Sequence, residues 1–324
     1  MKKAFITGIS GQDGSYLAEY LLGLGYEVHG LIRPASRKDD ALWRIESIRD
    51  QVKLHIADLG NSQQLESLVR TLQPDECYHL AAKSFAGIAT GDGAAILQVN
   101  VNGTRHLLSA LNSVAPECRF FFAGSSEIFG AAEVAPQTET TPFHPRSVYG
   151  ESKVKGHELV HQYRDQHQLF ACTGILYNHE SPRRGFRFVT RKITSTAVKI
   201  KLGLEFELRL GNIEAERDWG FAGDTVTAMH ACLNNVEAPE DFVIATGLTH
   251  TVGELLALAF GELDLNYESY LVIDPDFVRP KEAVPLVGDA SRAKLKLGWQ
   301  PRKTFEDMIR EMVLSDLDYF SHLL

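Results

Sequence analysis

Tyr149 and Lys153, four residues apart and preceded by Ser125-Ser126-Glu127, are the residues of this chain whose types and spacing best suit chemistry. On a helix that spacing puts phenol and ammonium on one face. A positive charge near a phenol favours the phenolate, so a pKa that is ordinarily about 10 falls and Tyr149 becomes a usable base. Ser125, at the end of a strand, offers a hydroxyl to the same substrate oxygen. These three groups suffice to move hydride between a sugar alcohol and a nicotinamide. Glu127 adds a carboxylate able to take a proton from carbon, which expulsion of water requires and simple oxidation does not. The set predicts a dehydratase in preference to a plain dehydrogenase.

A hydride acceptor needs a cradle, and Gly8-x-x-Gly11-x-x-Gly14 supplies one. It follows a first apolar run and opens a helix at Gln12, with Asp13 next, so backbone N–H groups face a pyrophosphate without Cβ obstruction. After the second strand, where an acid would hold the ribose of NAD, the chain reads Ile32-Arg33-Pro34-Ala35-Ser36-Arg37. Arg33, with Arg37 or Ser36, suits the 2′-phosphate of NADP instead. Asp58-Leu59 after the third strand falls near the adenine, and Leu80-Ala81-Ala82 after the fourth lets backbone approach the cofactor.

The elements that position these groups are legible as a βαβ rhythm. Ala4–Thr7, Glu27–Ile32, Val52–Ile56, Glu76–Leu80 and Arg119–Ala123 read as buried strands separated by amphipathic helices. That pattern predicts a Rossmann-type, doubly wound parallel sheet whose ligands bind at the strands' carboxyl ends. Beyond Tyr177 the rhythm loosens, which predicts a nucleotide-binding domain over 1–176 and a smaller, mainly substrate-binding portion over 177–324, with some elements returning to the first. Phe305, Met308, Ile309, Met312 and Val313 recur at helical spacing and predict a helix docked by one apolar face.

With 324 residues and a net charge of −9, the chain is large enough for a substantial core and carries no broad basic surface for nucleic acid. Cys77, Cys118, Cys172 and Cys232 are widely spaced, so they read as reduced and mostly buried, without a metal or redox motif. No apolar run has signal-peptide or membrane length, and a cytoplasmic location is expected.

Longer segments are similar to the GDP-mannose 4,6-dehydratases of the extended short-chain dehydrogenase/reductase superfamily, over essentially the whole length. They are Ile6 to Leu17, Thr141-Pro142-Phe143-His144-Pro145-Arg146-Ser147, Asn178-His179-Glu180-Ser181-Pro182-Arg183-Arg184-Gly185, Phe188-Val189-Thr190-Arg191-Lys192 and Arg217-Asp218-Trp219-Gly220. The resemblance implies tightly held NADP, a GDP-sugar substrate and a homo-oligomer, dimer or tetramer. It implies that Tyr149 takes the C4 hydroxyl proton, and that Glu127 removes the C5 proton before water leaves C6. His179 and Arg184 match cofactor contacts; Ser84 matches a residue near the hexose. Asn178, Lys192, Arg209, Arg217, Arg279 and Glu282 match positions that hold GDP, where guanidinium groups suit a diphosphate and Glu282 a guanine edge. The chain departs from the pattern at Ala89, where a hydroxyl is usual, at Val148, where proline usually precedes the tyrosine, and at Pro34, within the loop that in relatives reaches a neighbouring subunit. A nucleotide-sugar reductase or 4-epimerase would use Ser125, Tyr149 and Lys153 while leaving Glu127 idle, and a nonenzymatic NADP-binding regulator is expected to carry a damaged Tyr or Lys, whereas both are present.

Overall fold

The computed structural model describes residues 1–34, 42–83, 93–277 and 284–324. The elements are, in order, β1 (Lys3–Thr7), α1 (Gln12–Gly23), β2 (Glu27–Ile32), β3 (Lys53–Ile56), α2 (Ser62–Leu72), β4 (Glu76–His79), α3 (Gly93–Leu97), α4 (Gly103–Val114), β5 (Arg119–Ala123), α5 (Val148–His167), β6 (Ala171–Leu176) and β7 (Asn178–Glu180). They continue with α6 (Val189–Lys201), β8 (Leu208–Leu210), β9 (Glu216–Arg217), β10 (Trp219–Phe221), α7 (Ala222–Asn234), β11 (Phe242–Ile244), β12 (His250–Thr251), α8 (Val252–Gly261), β13 (Leu271–Ile273), α9 (Ser291–Leu297) and α10 (Phe305–Ser321).

Seven strands form one sheet in the order β11-β6-β5-β4-β1-β2-β3, and every pairing is parallel. Successive strand residues point to opposite faces. Thus Ala4, Ile6 and Phe121 pack with α1 and α7 on one side, while Phe5, Phe120 and Phe122 pack with α2, α4 and α5 on the other. The doubly wound sheet predicted by the strand rhythm is therefore present. Strand order reverses between β1 and β4, which opens a crevice at their carboxyl ends.

All five segments read as strands lie in this sheet, but the third is not buried. β3 forms its outer edge and leaves Lys53 and Ile56 exposed, because among the described residues no strand pairs beyond it. The chain after β6 returns to the sheet once, through β11, and otherwise builds a third apolar cluster from α6, α8 and α10 around Trp219. The helix with Phe305, Met308, Ile309, Met312 and Val313 on its buried face is α10. All four cysteines are buried free thiols. Among the described residues no helix is long and apolar enough to cross a membrane.

Candidate active site

The glycine loop and the helix behind it come together as the spacing predicted. Gly11 is the N-cap of α1 and gives it no side-chain cap, so the first N–H groups of the helix remain available to an anion. At Gly14 a Cβ would stand 2.3 Å from the Gly8 carbonyl oxygen and 2.6 Å from Ile9 Cα, so no larger residue fits the turn. A Cβ at Gly8 would stand 3.0 Å from Ala81 Cα and N, and the Ala81 N–H donates to Thr7 Oγ1 at 3.2 Å, which joins the ends of β1 and β4 at the reversal point. Leu80 donates its N–H to the Thr7 carbonyl, and Ala82 follows beside them, half-buried. A pyrophosphate fits this cradle of small residues and free amides.

Asp13 and His179, far apart in sequence, close the cradle from above. Nε2 of His179 lies 2.9 Å from Asp13 Oδ2 and Nδ1 lies 2.7 Å from the Tyr177 carbonyl oxygen, so both ring nitrogens donate and the ring is an imidazolium. Burial opposes charge on both groups, yet each is the other's main relief. His179 is raised from its ordinary value and Asp13 is lowered to about 2. Gln12 completes the link by donating to the His179 carbonyl at 3.0 Å and accepting from Ser181 Oγ at 2.8 Å.

The two shifts give a signed pH dependence. A raised histidine stabilises fully below its unfolded value near 6.5 and loses that contribution as pH rises through the folded value; a lowered aspartate contributes above 3.8 and loses it as pH falls through about 2. The ion pair therefore acts at full strength between about 3.8 and 6.5. The wild-type melting temperature should fall from pH 6.5 towards 8.5, and the His179→Gln protein should show a flatter profile over that range; parallel profiles would contradict the assignment.

Ser125, Glu127, Tyr149 and Lys153 meet at the carboxyl end of β5. Ser125 starts a tight turn, Ser126–Ile128, whose Glu127 N–H donates to Ser125 Oγ at 3.3 Å. α5 begins just after Ser147, whose Oγ accepts from Gly150 N–H at 3.0 Å. A Cβ at Gly150 would lie 2.6 Å from the Glu127 carbonyl oxygen. That close approach locks the turn carrying the carboxylate against the first turn of the helix carrying the phenol.

The electrostatics differ from the sequence reading. Burial pushes the Tyr149 phenol up to about 12; a hydrogen bond from Ser125 opposes the rise and the Glu127 charge adds to it. Lys153 does not lower it, because its buried Nζ donates to the Ala123 carbonyl at 2.6 Å and lies 5.7 Å from the Tyr149 ring centre. Burial also lowers Lys153, to about 8. Within the protein alone the ammonium anchors α5 to β5, and the phenol keeps its proton at neutral pH.

Arg184 stands near this centre, stacked on Phe188 with its guanidinium carbon 3.6 Å from the ring centre, and Nε pairs with Glu180 at 3.1 Å without hydrogen-bond geometry. Arg33 and Asp58 are exposed at the ends of β2 and β3, with Leu59 buried behind Asp58. Of the residues matched to GDP positions, Lys192 and Arg209 are adjacent, Lys192 Nζ donating to the Arg209 carbonyl at 2.6 Å. Arg209 also bonds Glu207 at 2.6 Å. Asn178 pairs with Trp219 across β7 and β10, and Arg217 sits on β9. Ser36, Arg37, Ser84, Ala89, Arg279 and Glu282 lie outside the described residues.

Two residues escaped the sequence reading. Asn100 is buried; its side-chain oxygen accepts from Lys83 N–H at 2.9 Å and its amide donates to Ser152 Oγ at 2.9 Å, which in turn donates to the Tyr149 carbonyl at 2.7 Å. It ties the segment after β4 to the first turn of α5. Its one signal is a polar residue within the largely apolar run Ile96-Leu97-Gln98-Val99-Asn100-Val101. Arg44 donates through Nε to the Arg183 carbonyl at 2.7 Å, and burial followed by repulsion from Arg191, Arg183 and Arg184 lowers it to about 10. Such convergence of guanidinium groups beside a glycine loop suits an anionic ligand.

Over nearly its whole length the chain is similar to proteins of one known family. A family profile described as GDP-mannose 4,6 dehydratase matches residues 5–312. GDP-mannose 4,6 dehydratase 2 of Arabidopsis thaliana is 48% identical, covering 98% of this chain and 87% of that protein. The GDP-mannose 4,6 dehydratase of Homo sapiens is 42% identical, covering 97% and 91%. Among solved structures, RMD from Pseudomonas aeruginosa complexed with NADPH superposes with a TM-score of 0.84 at 25% identity, covering 98% and 100%. A dTDP-glucose 4,6-dehydratase from Bacillus anthracis in complex with NAD shares the fold with a TM-score of 0.85 at 20% identity, covering 97% and 96%.

Proposed function

Because the chain belongs to the GDP-mannose 4,6-dehydratase family, we propose that it holds one NADP tightly and uses the Ser125, Glu127, Tyr149 and Lys153 group to convert GDP-mannose to GDP-4-keto-6-deoxymannose. The reaction is redox-neutral: held by the glycine loop with Asp13 and His179, a nicotinamide would supply the acceptor for hydride from C4 and the donor of hydride to C6. Tyr149 removes the C4 hydroxyl proton, and Ser125 holds the same oxygen through its hydroxyl. The resulting 4-ketone acidifies the C5 proton, which Glu127 takes and passes to the C6 hydroxyl as that group leaves as water; C5 regains a proton from solvent when hydride arrives at C6. Lys153 keeps the phenol in place by fastening α5 to β5. The observation that carries this reading is the Glu127 turn packed against the catalytic turn at Gly150. A 4-reductase or 4-epimerase has no use for that carboxylate. Incubating the purified protein with GDP-mannose should give a base-sensitive 4-keto product with no net change in NADPH; a product formed only with consumption of NADPH would contradict it.

Gly8, Gly11, Gln12, Asp13, Gly14, Asp58, Leu59, Leu80, Ala81, Ala82, His179 and Arg184 complete the proposed cofactor site, with Tyr149 and Lys153. Lys192, Arg209, Arg217 and Asn178 hold GDP on the 177–324 portion. Preference for NADP rests on Arg33, which stands at the end of β2 where an acid would repel a 2′-phosphate. One charge-assisted contact to phosphate is worth about 1.5–3 kcal/mol. Arg33→Glu should therefore weaken NADP binding by about tenfold to a hundredfold or more while sparing NAD, as measured by cofactor titration of the stripped protein. Equal losses for both cofactors would remove the argument. A homo-oligomer in the cytoplasm completes the proposal, supported by the resemblance over essentially the whole chain and by four unpaired, buried thiols.

A further inference from the structure

The catalytic helix carries two histidines beyond the residues that do the chemistry. His157 and His161 follow Tyr149 and Lys153 at further four-residue steps along α5. Facing them, Asp241 immediately precedes β11. One ring nitrogen from each histidine and one carboxylate oxygen of Asp241 lie within 4.8 Å of one another. The two imidazole rings are 4.3 Å apart between centres.

We propose that His157, His161 and Asp241 form a site for one divalent transition-metal ion of the zinc class, which ties the far half of the catalytic helix to strand β11. Two imidazoles and a carboxylate are the donor set of three-ligand zinc sites, with water in the remaining position. The surroundings divide the Asp241 carboxylate in two. Oδ1 accepts from Arg164 at 2.5 Å and from Thr173 N–H at 2.8 Å, whereas Oδ2 faces His161 Nε2 at 2.6 Å and Arg164 at 3.4 Å. The metal would take the place of the proton that His161 and Oδ2 share, leaving Arg164 and Thr173 as the outer contacts that orient the ligand. Thr173 Oγ1, 3.2 Å from His157 Nδ1, helps fix that ring as well.

The protonation states suit the assignment. Burial lowers His157 to about 4, so its lone pair is free at neutral pH, and hydrogen bonds from His161 and Arg164 outweigh burial to keep Asp241 ionised. The Arg164 charge opposes a cation, so the site should favour metals that bind imidazole strongly over calcium or magnesium. The His161 side chain is 43% exposed, which leaves a path from solvent. His157 and His161 stand about 12 and 18 Å along the helix from Tyr149, at about 1.5 Å per residue, so the ion acts on stability and not on the sugar.

The test uses the full-length protein after dialysis against chelator. Calorimetric titration with Zn2+ should give one equivalent per chain and a higher melting temperature. Co2+ in its place should give a visible d–d spectrum without a thiolate charge-transfer band, since the four cysteines are buried. His157→Gln and His161→Gln, shown to be folded by circular dichroism, should each weaken Zn2+ binding at least about tenfold. Uptake far below one equivalent, a thiolate band, or folded variants that bind as the wild type does would overturn the proposal. The wild-type stoichiometry and spectrum decide it even if a variant fails to fold.

Discussion

Replacing Glu127 with glutamine should lower the turnover of GDP-mannose by about 10²–10⁴, the range associated with loss of a positioned general base. Glutamine keeps the shape of the side chain and removes its basicity. The turn Ser126–Ile128 should survive the change, since it is held by Ser125 Oγ and by the Glu127 backbone against Gly150, and neither contact uses the carboxylate. Because C4 oxidation precedes the step assigned to Glu127, the variant should still form reduced cofactor, visible by absorbance, and should fail to exchange the C5 hydrogen with deuterated solvent. Full turnover in this variant would leave the loss of water without an agent, although the fold would stand.

Tyr149→Phe should cost a similar factor at an earlier step. The phenol oxygen is its only loss, yet without it the C4 hydroxyl proton has no acceptor, so neither reduced cofactor nor C5 exchange should appear. The contrast between the two variants separates the roles more sharply than either rate alone. The pH profile adds a sign. A phenol pushed up to about 12 by burial is a base only in its minor, deprotonated form. Activity of the wild type should therefore rise with pH through the neutral and mildly alkaline range. Lys153, lowered to about 8 by burial, loses its proton within the same range without acting on the phenol, so the rising limb belongs to Tyr149. Residual activity of Tyr149→Phe should lack the rising limb.

What the sequence disclosed was mostly what short-range spacing encodes. Gly8, Gly11 and Gly14, the four-residue step from Tyr149 to Lys153, and the alternating strands needed no knowledge of distant neighbours. The environment of Lys153 did, because whether an ammonium meets a phenol or a carbonyl depends on how α5 lies over β5, and a Cβ at Gly156 would stand only 2.2 Å from the Phe122 ring. The same holds for the Asp13–His179 pair, the Arg44–Arg183 contact and the Asn100 bridge, whose partners lie between 17 and 166 positions away. β3 was read as buried together with the other strands, although Val52-Lys53-Leu54-His55-Ile56 alternates apolar and polar residues as a half-exposed strand does; its place at the edge is set by strand order.

The central claim is that one bound nicotinamide carries a hydrogen from C4 to C6 of the same sugar while the protein's carboxylate and phenol move the protons. GDP-mannose labelled with deuterium at C4, turned over by the purified protein and analysed by mass spectrometry and NMR, tests this most directly. The account predicts that the deuterium is found at C6 of the 4-keto product, one per molecule, with no external cofactor required. Deuterium lost to solvent or to added NADP would contradict it.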